Sequence, residues 1–305
     1  MTQLPTALDE RLAEILGDEY GEYTRGLSSP PRACLRVNTL KATVGEVEES
    51  LAERCLEGVP WCPTGFWVGD ARGLGDSAAH FQGLFYLEDA ASLLPPEALA
   101  PEPDEVVLDA AAAPGGKTTH IAALMGNSGA LAANEVDARR TRVLRFNLSR
   151  MGVLNAAVTT LDMSRLPDTG AIFDRVLLDA PCSCEGRIGD DPEALALWKP
   201  SRVQKCSRLQ ARLIENCFNV LAPGGVLVYS TCTLAPEENE GVVDALLRGH
   251  GDADVDEILA PWRHADGITE WRDIKYDERV ARCLRLYPHH HGTQGFFVAR
   301  ILKCR

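Results

Sequence analysis

The 305-residue sequence predicts a doubly wound α/β fold, a mostly parallel sheet covered by helices, with a small α/β unit ahead of it. Three observations carry this expectation. From about residue 98, short and nearly continuous apolar runs alternate with stretches of helical length, the pattern of a parallel sheet covered on both faces. Several of those runs end on an acidic residue, and ligands of open α/β sheets bind beyond the carboxyl ends of the strands. The composition is globular, with 45% hydrophobic and 25% charged residues and enough length for a large core.

Taken in order, residues 1–30 read as an acidic helical segment closed by Ser29, Pro30 and Pro31. Residues 33–37 suit a strand. Thr43 and Glu46 form a capping-box pattern at the head of an amphipathic helix running to Cys55. Turn residues and short apolar runs fill 56–88, and a helix over 89–94 leads to Pro95-Pro96, read as a hinge. Residues 1–97 are thus expected to form an N-terminal unit, and 98–305 the main domain. In the main domain, strands are expected at 105–109, 130–135, 156–162, 173–179, 225–230 and 295–301. Helices are expected at about 117–126, 137–152, 201–221 and 236–248. His289 to His291 read as a polar turn before the last strand.

Charge and cysteine usage narrow the function classes. No apolar run approaches the about 18 residues of a membrane span. The N-terminus lacks the basic-then-apolar layout of a secretory signal. Ten cysteines in so long a chain without an export signal suit a reduced, cytoplasmic protein. A net charge of −13 argues against bulk attraction to nucleic acid. Two local stretches run the other way. Arg202, Lys205, Arg208 and Arg212 would share an arc of about 120° on one helix, with no acid between them. Arg139, Arg140, Arg142, Arg145 and Arg150 mark a second basic helix. The first is the expected phosphate-contacting face.

The acids that end strands are Asp109, Glu135, Asp162 and Asp179, and they are expected to converge on one crevice. After Asp109 comes AAAAPGGKTTH, where small residues and Gly115-Gly116 let backbone approach a ligand just as a helix begins. It is neither GxGxxG nor a complete phosphate loop, so ATP is disfavoured. Glu135, ending the second strand of the set, suits a ribose diol and points to a nucleoside-bearing cofactor. The run LLDAPCSCEGR (177–187) sets Cys182 and Cys184 past a buried strand, and YSTCTLAPEENE (229–240) sets Cys232 past another. CxC with one distant cysteine lacks the paired spacing of structural zinc, so no metal is expected. Cys34, Cys55, Cys62, Cys206, Cys217, Cys283 and Cys304 read as inert structural thiols.

These stretches, with ANEVDARRTRVLRFNLSRMG (133–152), RVNTLKAT (36–43) and FQGLFYLEDAASLLP (81–95), resemble the Nop/Sun (Fmu-type) family of S-adenosylmethionine-dependent RNA cytosine-C5 methyltransferases. The resemblance covers roughly residues 30–305. It implies a Rossmann-like class I methyltransferase with a seven-stranded, mostly parallel sheet. It also implies that Ala111, Ala112, Ala113, Pro114, Gly115, Gly116 and Lys117 hold the methionine part of S-adenosylmethionine. Glu135 would lie on the ribose, with Arg140 beside the cofactor, and Asp162 near the adenine. Asp179 would face the cofactor amine or the target base, with Lys117 among the catalytic groups. Cys232 would be the attacking thiolate, and Cys182 would assist release. Cys184 stands where the family usually has glycine, Glu88 where glutamine is common, and Ala111 where cysteine is frequent.

The expected function is transfer of methyl to C5 of a cytosine in RNA through a cysteine–C6 adduct. The expected enzyme is a monomer acting on tRNA, because the compact layout resembles short archaeal tRNA enzymes. The alternative is 16S ribosomal RNA, since the motifs also resemble the bacterial 16S enzymes. An amine methyltransferase would present an Asn/Asp-Pro-Pro-aromatic loop, by resemblance to those families, where this chain has Asp179-Ala180-Pro181-Cys182. A non-catalytic RNA-binding assembly protein is disfavoured by the intact acids, glycine loop and both motif cysteines.

Overall fold

A computed structural model describes residues 4–27, 29, 31–165 and 170–305. They fall into two compact units, one of residues 32–179, 216–228 and 303–305, the other of residues 1–31, 180–215 and 229–302.

The first unit begins with strand β1 (Cys34–Val37), followed by β2 (Leu56–Val59), β3 (Cys62–Val68) and β4 (Phe85–Leu87). They form an antiparallel sheet of order β2-β3-β1-β4. Leu35, Val37, Phe66, Val68 and Phe85 form its core with Val47 and Leu74. Three of these strands lie in the stretch read as turns, where Pro63, Gly65, Gly69 and Gly83 mask the apolar alternation. The Thr43–Glu46 capping box is present, but its helix stops at Ser50 and a short 3₁₀ turn follows. Pro95 and Pro96 do not form a hinge. They occupy the first turn of the helix Leu94–Leu99, where the proline ring suits the helical φ and the missing N–H costs nothing.

Strands β5 (Val106–Asp109), β6 (Ala130–Asn134), β7 (Ala156–Thr159), β8 (Phe173–Asp179) and the Leu221–Val228 part of β9 (Leu221–Thr231) complete this unit, in the order β9-β8-β5-β6-β7. The pairs β5/β6, β6/β7 and β5/β8 are parallel. Helices Gly116–Leu124 and Arg140–Met151 follow β5 and β6. This is the expected α/β class.

In the second unit, β10 (Ala253–Asp256) and β14 (Leu284–Leu286) each pair with β15 (Phe296–Lys303), and β11 (Ala265–Asp266) pairs with β14. Strands β12 (Glu270–Trp271) and β13 (Ile274–Lys275) form a separate two-residue hairpin. The antiparallel additions escaped the sequence reading because most are too short to show a period. Arg285 and Glu240 form a fully buried, two-pronged ion pair at 2.6 Å, which ties β14 to the helix Glu240–Gly249. His289 to His291 lie in a one-turn helix, Pro288–His291, instead of a bare turn. Among the described residues, no helix is long and apolar enough to cross a membrane.

Candidate active site

Strand β5 ends on Asp109, which is buried and whose Oδ2 accepts from Thr118 Oγ1 at 2.6 Å. Burial pushes its carboxyl up to about 6; the Thr118 hydrogen bond opposes the rise and the nearby Asp179 charge adds to it. The segment Ala110–Gly115 then turns into the helix Gly116–Leu124. Gly115, at φ +113, takes a backbone conformation closed to other residues, and an added Cβ would lie 3.2 Å from Leu144 Cδ1. Ala112 and Ala113 are buried against Leu144 and Leu148 of the helix Arg140–Met151. Lys117, on the first turn of its helix, donates to Asp179 Oδ2 at 2.7 Å. Burial works against the Lys117 ammonium, yet the facing Asp179 carboxylate outweighs it and keeps the amine protonated.

Glu135 follows β6 and is buried, with one oxygen accepting from the Asp137 N–H at 2.9 Å and the other 3.0 Å from Arg140 Nη1. Arg140 also donates to the Ala113 carbonyl at 2.6 Å, so it joins the acid to the glycine-rich segment. Asp162 is exposed and caps its own turn, accepting from the N–H and hydroxyl of Ser164. Of the four strand-end acids, Asp109 and Asp179 meet around Lys117, and Glu135 is joined to the same segment by Arg140. Asp162 is not joined to them among the described residues; its neighbour Leu161 is tied to the segment by Asn134, which donates to the carbonyls of Ala110 and Leu161. The sequence reading missed Asn134. It also missed Arg36, which is fully buried and holds Glu88, the Gly116 carbonyl and Thr119 together.

The second group of side chains is three thiols. Cys182 Sγ lies 3.2 Å from Cys232 Sγ and 3.9 Å from Cys184 Sγ. Two loops are braced together to hold them. The Gly186 N–H donates to the Cys232 carbonyl, Ser183 Oγ meets Thr233 Oγ1 at 2.8 Å, and Glu238 accepts from the Ser183 N–H and from Gln210. Glu238 is buried deeply enough to be pushed up to about 7. Cys184 sits at φ +65, the left-handed region that glycine tolerates and other residues seldom adopt. That is the physical reason a glycine suits this position. Here it carries a thiol turned into the cluster.

Cys182 and Cys184 influence each other's ionisation. Hydrogen bonds from Cys182 and Cys232 pull Cys184 below the ordinary thiol range, aided by Arg187 and Arg202. The same bonds and burial push Cys182 up, so it keeps its proton. Cys182 is buried, while Cys184 and Cys232 are partly exposed. Within the pair, Cys184 is the member that favours the thiolate and Cys182 the member that favours the thiol.

Arg202, Lys205, Arg208 and Arg212 lie on the helix Pro200–Asn219. Lys205, Arg208 and Arg212 are exposed, and Arg202 is half-buried near Cys184. By distance alone, three groups among the described residues could hold a metal: the thiol cluster, Glu19 with His289 and His290, and Cys62 with Glu97 and His120. Arg263 lies 2.8 Å from the Glu19 oxygen that both histidines share, and so supplies positive charge there.

Residues 96–302 match the family model for the 16S rRNA methyltransferase RsmB/F, and residues 4–90 match the N-terminal domain of 16S rRNA methyltransferase RsmF. The chain belongs to the RsmB/F methyltransferase family. This is the Nop/Sun grouping that the motifs resemble. Over 313 residues the chain is 42% identical to ribosomal RNA small subunit methyltransferase F of Serratia proteamaculans, covering 98% of this chain and 63% of that protein. It is 40% identical over 301 residues to the tRNA (cytosine(49)-C(5))-methyltransferase of Pyrococcus abyssi, covering 98% and 96%. The chain thus spans less than two thirds of its bacterial RsmF relatives. Among solved structures, a methyltransferase homolog from Pyrococcus horikoshii superposes with TM-score 0.86 at 35% identity, over 98% of this chain and all of that one. NSun6 from Pyrococcus horikoshii, solved with SFG, gives the same TM-score at 26% identity, over 99% of each chain.

Proposed function

We propose that this chain is an S-adenosylmethionine-dependent RNA (cytosine-C5)-methyltransferase acting on tRNA in the cytoplasm. The observation that carries the reading is the Cys182–Cys232 pair at 3.2 Å. Cytosine C5 is a poor nucleophile until a thiolate adds at C6 and breaks the aromaticity of the ring. A methyltransferase for exocyclic amines has no use for two such thiols, because an amine already carries a nucleophilic lone pair. The tRNA reading is supported by identity that runs along 96% of the Pyrococcus abyssi tRNA enzyme. The bacterial relatives and the family model favour 16S rRNA as the second reading. Bisulfite sequencing of total RNA with and without the gene tests both. Loss of one protected tRNA cytosine is expected; an unchanged map overturns the activity, and loss of a 16S position decides for the second reading.

Bound S-adenosylmethionine would supply an electrophilic methyl group. The donor set fits it: a buried carboxylate at Glu135 for a diol, a small-residue turn at Ala111–Gly116, and a second acid at Asp162. Glu135 takes the ribose, the Ala111–Lys117 segment the methionine part, Arg140 the segment's backbone, and Asp162 the adenine. Lys117 and Asp179 hold the target ring at N3 and stabilise the charge that builds there. Cys232 adds at C6, and Cys182 and the cluster accept the C5 proton. In this reading residues 1–97 recognise RNA and 98–305 carry the chemistry.

Two tests follow from these assignments. Glu135→Ala should weaken cofactor binding by about 1.5–3 kcal/mol, the loss of hydrogen bonds to a charged acceptor, without unfolding the chain. Unchanged affinity by calorimetry would remove Glu135 from the site. Charge reversal at Lys205, Arg208 and Arg212 should weaken RNA binding and flatten its salt dependence, because each lost phosphate contact returns about one counterion. Arg202 is left in place because its charge acts on Cys184. Should affinity and salt slope both hold, this helix is not the phosphate face.

A further inference from the structure

We propose that a groove between the helix Arg140–Met151 and the segment 75–87 binds a single-stranded nucleotide of the RNA substrate by stacking. This inference rests on the RNA-methyltransferase reading and deepens it by assigning one nucleotide of the RNA to a defined surface.

The groove has a volume of about 530 Å³ and is lined by His80, Phe81, Tyr86, Phe146, Asn147 and Arg150. Phe81 is 76% exposed and Phe146 58% exposed. Two phenylalanines this open, lining one groove, are an unusual use of apolar surface. Burial elsewhere does not account for them.

The groove is built, not incidental. Gly83 sits at φ +75, and a Cβ there would lie 2.1 Å from the Arg150 carbonyl, so the segment lies directly on the end of the helix. Asn38 donates to the carbonyls of both Gly83 and Met151, at 2.7 and 2.8 Å. Lys41 bridges the Gln82 and Arg150 carbonyls, and Arg150 donates to the His80 carbonyl at 2.6 Å. The Arg150 guanidinium stands 5.3 Å from the centre of the Tyr86 ring. Asn147 donates to the Tyr86 hydroxyl at 3.3 Å.

Charge decides the occupant. The helix Arg140–Met151 carries four arginines and no acid. At 100° per residue, Arg139, Arg142, Val143, Phe146 and Arg150 fall on one face about 100° wide. Arg139 and Arg142 are exposed, and among the described residues neither is within ion-pair distance of a carboxylate. One acid, Asp76, lines the groove. A face with aromatic rings set among unpaired arginines fits a base on the rings and phosphates on the guanidinium groups. Duplex RNA keeps its bases stacked inward and offers nothing to these rings.

The test is fluorescence anisotropy of the full chain with a labelled single-stranded RNA and with the same strand annealed into a duplex, across a salt series. Phe81→Ala with Phe146→Ala should weaken single-strand binding about tenfold or more while leaving the salt slope unchanged. Duplex binding should stay at the parent level. Phe81→Tyr with Phe146→Tyr, which keeps the rings, should bind the single strand like the parent. Arg139→Ala with Arg142→Ala should instead flatten the slope by about 1.4, two single-strand phosphate contacts. Parent-like single-strand binding by the alanine pair, or an equal loss on duplex, overturns the groove while RNA binding and methylation stand. A parent chain that binds neither RNA overturns the underlying reading as well.

Discussion

Cys232→Ala is expected to give no methylated RNA and no covalent protein–RNA adduct, with turnover down about 10⁴-fold or more, while cofactor binding stays at the parent level. The size follows from the chemistry. Without a thiolate at C6 the ring remains aromatic, and C5 has no electron pair to offer an electrophilic methyl group. The two remaining thiols give this prediction its edge. Cys184 is partly exposed, carries negative charge favoured by Arg187 and Arg202, and lies in the same cluster as Cys232. If acidity alone chose the nucleophile, Cys184 would attack and Cys232→Ala would keep activity. Low basicity, however, also lowers nucleophilicity, so the most acidic thiol is not the best attacker. Radiolabelled methyl transfer and denaturing gels, run on Cys232→Ala and Cys184→Gly together, decide between them. Activity retained in the first and lost in the second would move the nucleophile to Cys184.

The parts of the molecule that sequence exposes are those where one physical demand dominates. Strand β8 was legible over 173–179 because a buried parallel strand must be apolar along most of its length and ends on an acid. The helix Pro200–Asn219 was legible within two residues because twenty residues repeat one amphipathic period. Strand β3 was hidden because it admits Pro63 and Gly65, which read as turn signals, and β2 and β4 because four and three residues are too short to show a period. At the candidate site, the motifs named Cys182 and Cys232 and marked Cys184 as a departure, but no local pattern gives the φ of +65 from which its thiol joins the cluster. Glu238 and Asn134 were invisible for a related reason. Their hydrogen bonds join segments 55 and 27 residues apart, and no local pattern records such a partner.

Cys182→Ala is expected to do the opposite of Cys232→Ala: adduct accumulates and survives denaturing electrophoresis, while product falls. Once methyl has reached C5, that carbon still holds its proton, and Cys232 cannot leave until the proton is taken. Its removal lets the C5–H electrons re-form the C5–C6 double bond and expel the Cys232 thiolate, and the chain returns to its starting state once the cluster passes the accepted proton to solvent. Cys182 is placed for this step, 3.2 Å from Cys232 and 3.9 Å from Cys184. It is itself held protonated by those neighbours and by burial, so on its own it is a poor base. Cys184, 3.9 Å away and partly exposed, is the neighbour through which the Cys182 proton can exchange with solvent. In the proposed mechanism proton acceptance is assigned to the Cys182–Cys184 pair, with Cys182 the member in contact with Cys232. Cys182→Ala breaks the relay at that end and traps the adduct, and Cys182→Ala with Cys232→Ala should trap nothing. The relay also predicts that Cys184→Gly, which restores the smaller residue suited to φ +65, slows release less than Cys182→Ala does. An adduct that appears in Cys232→Ala instead reverses the two roles, and Cys182→Ala turning over like the parent removes Cys182 from the mechanism.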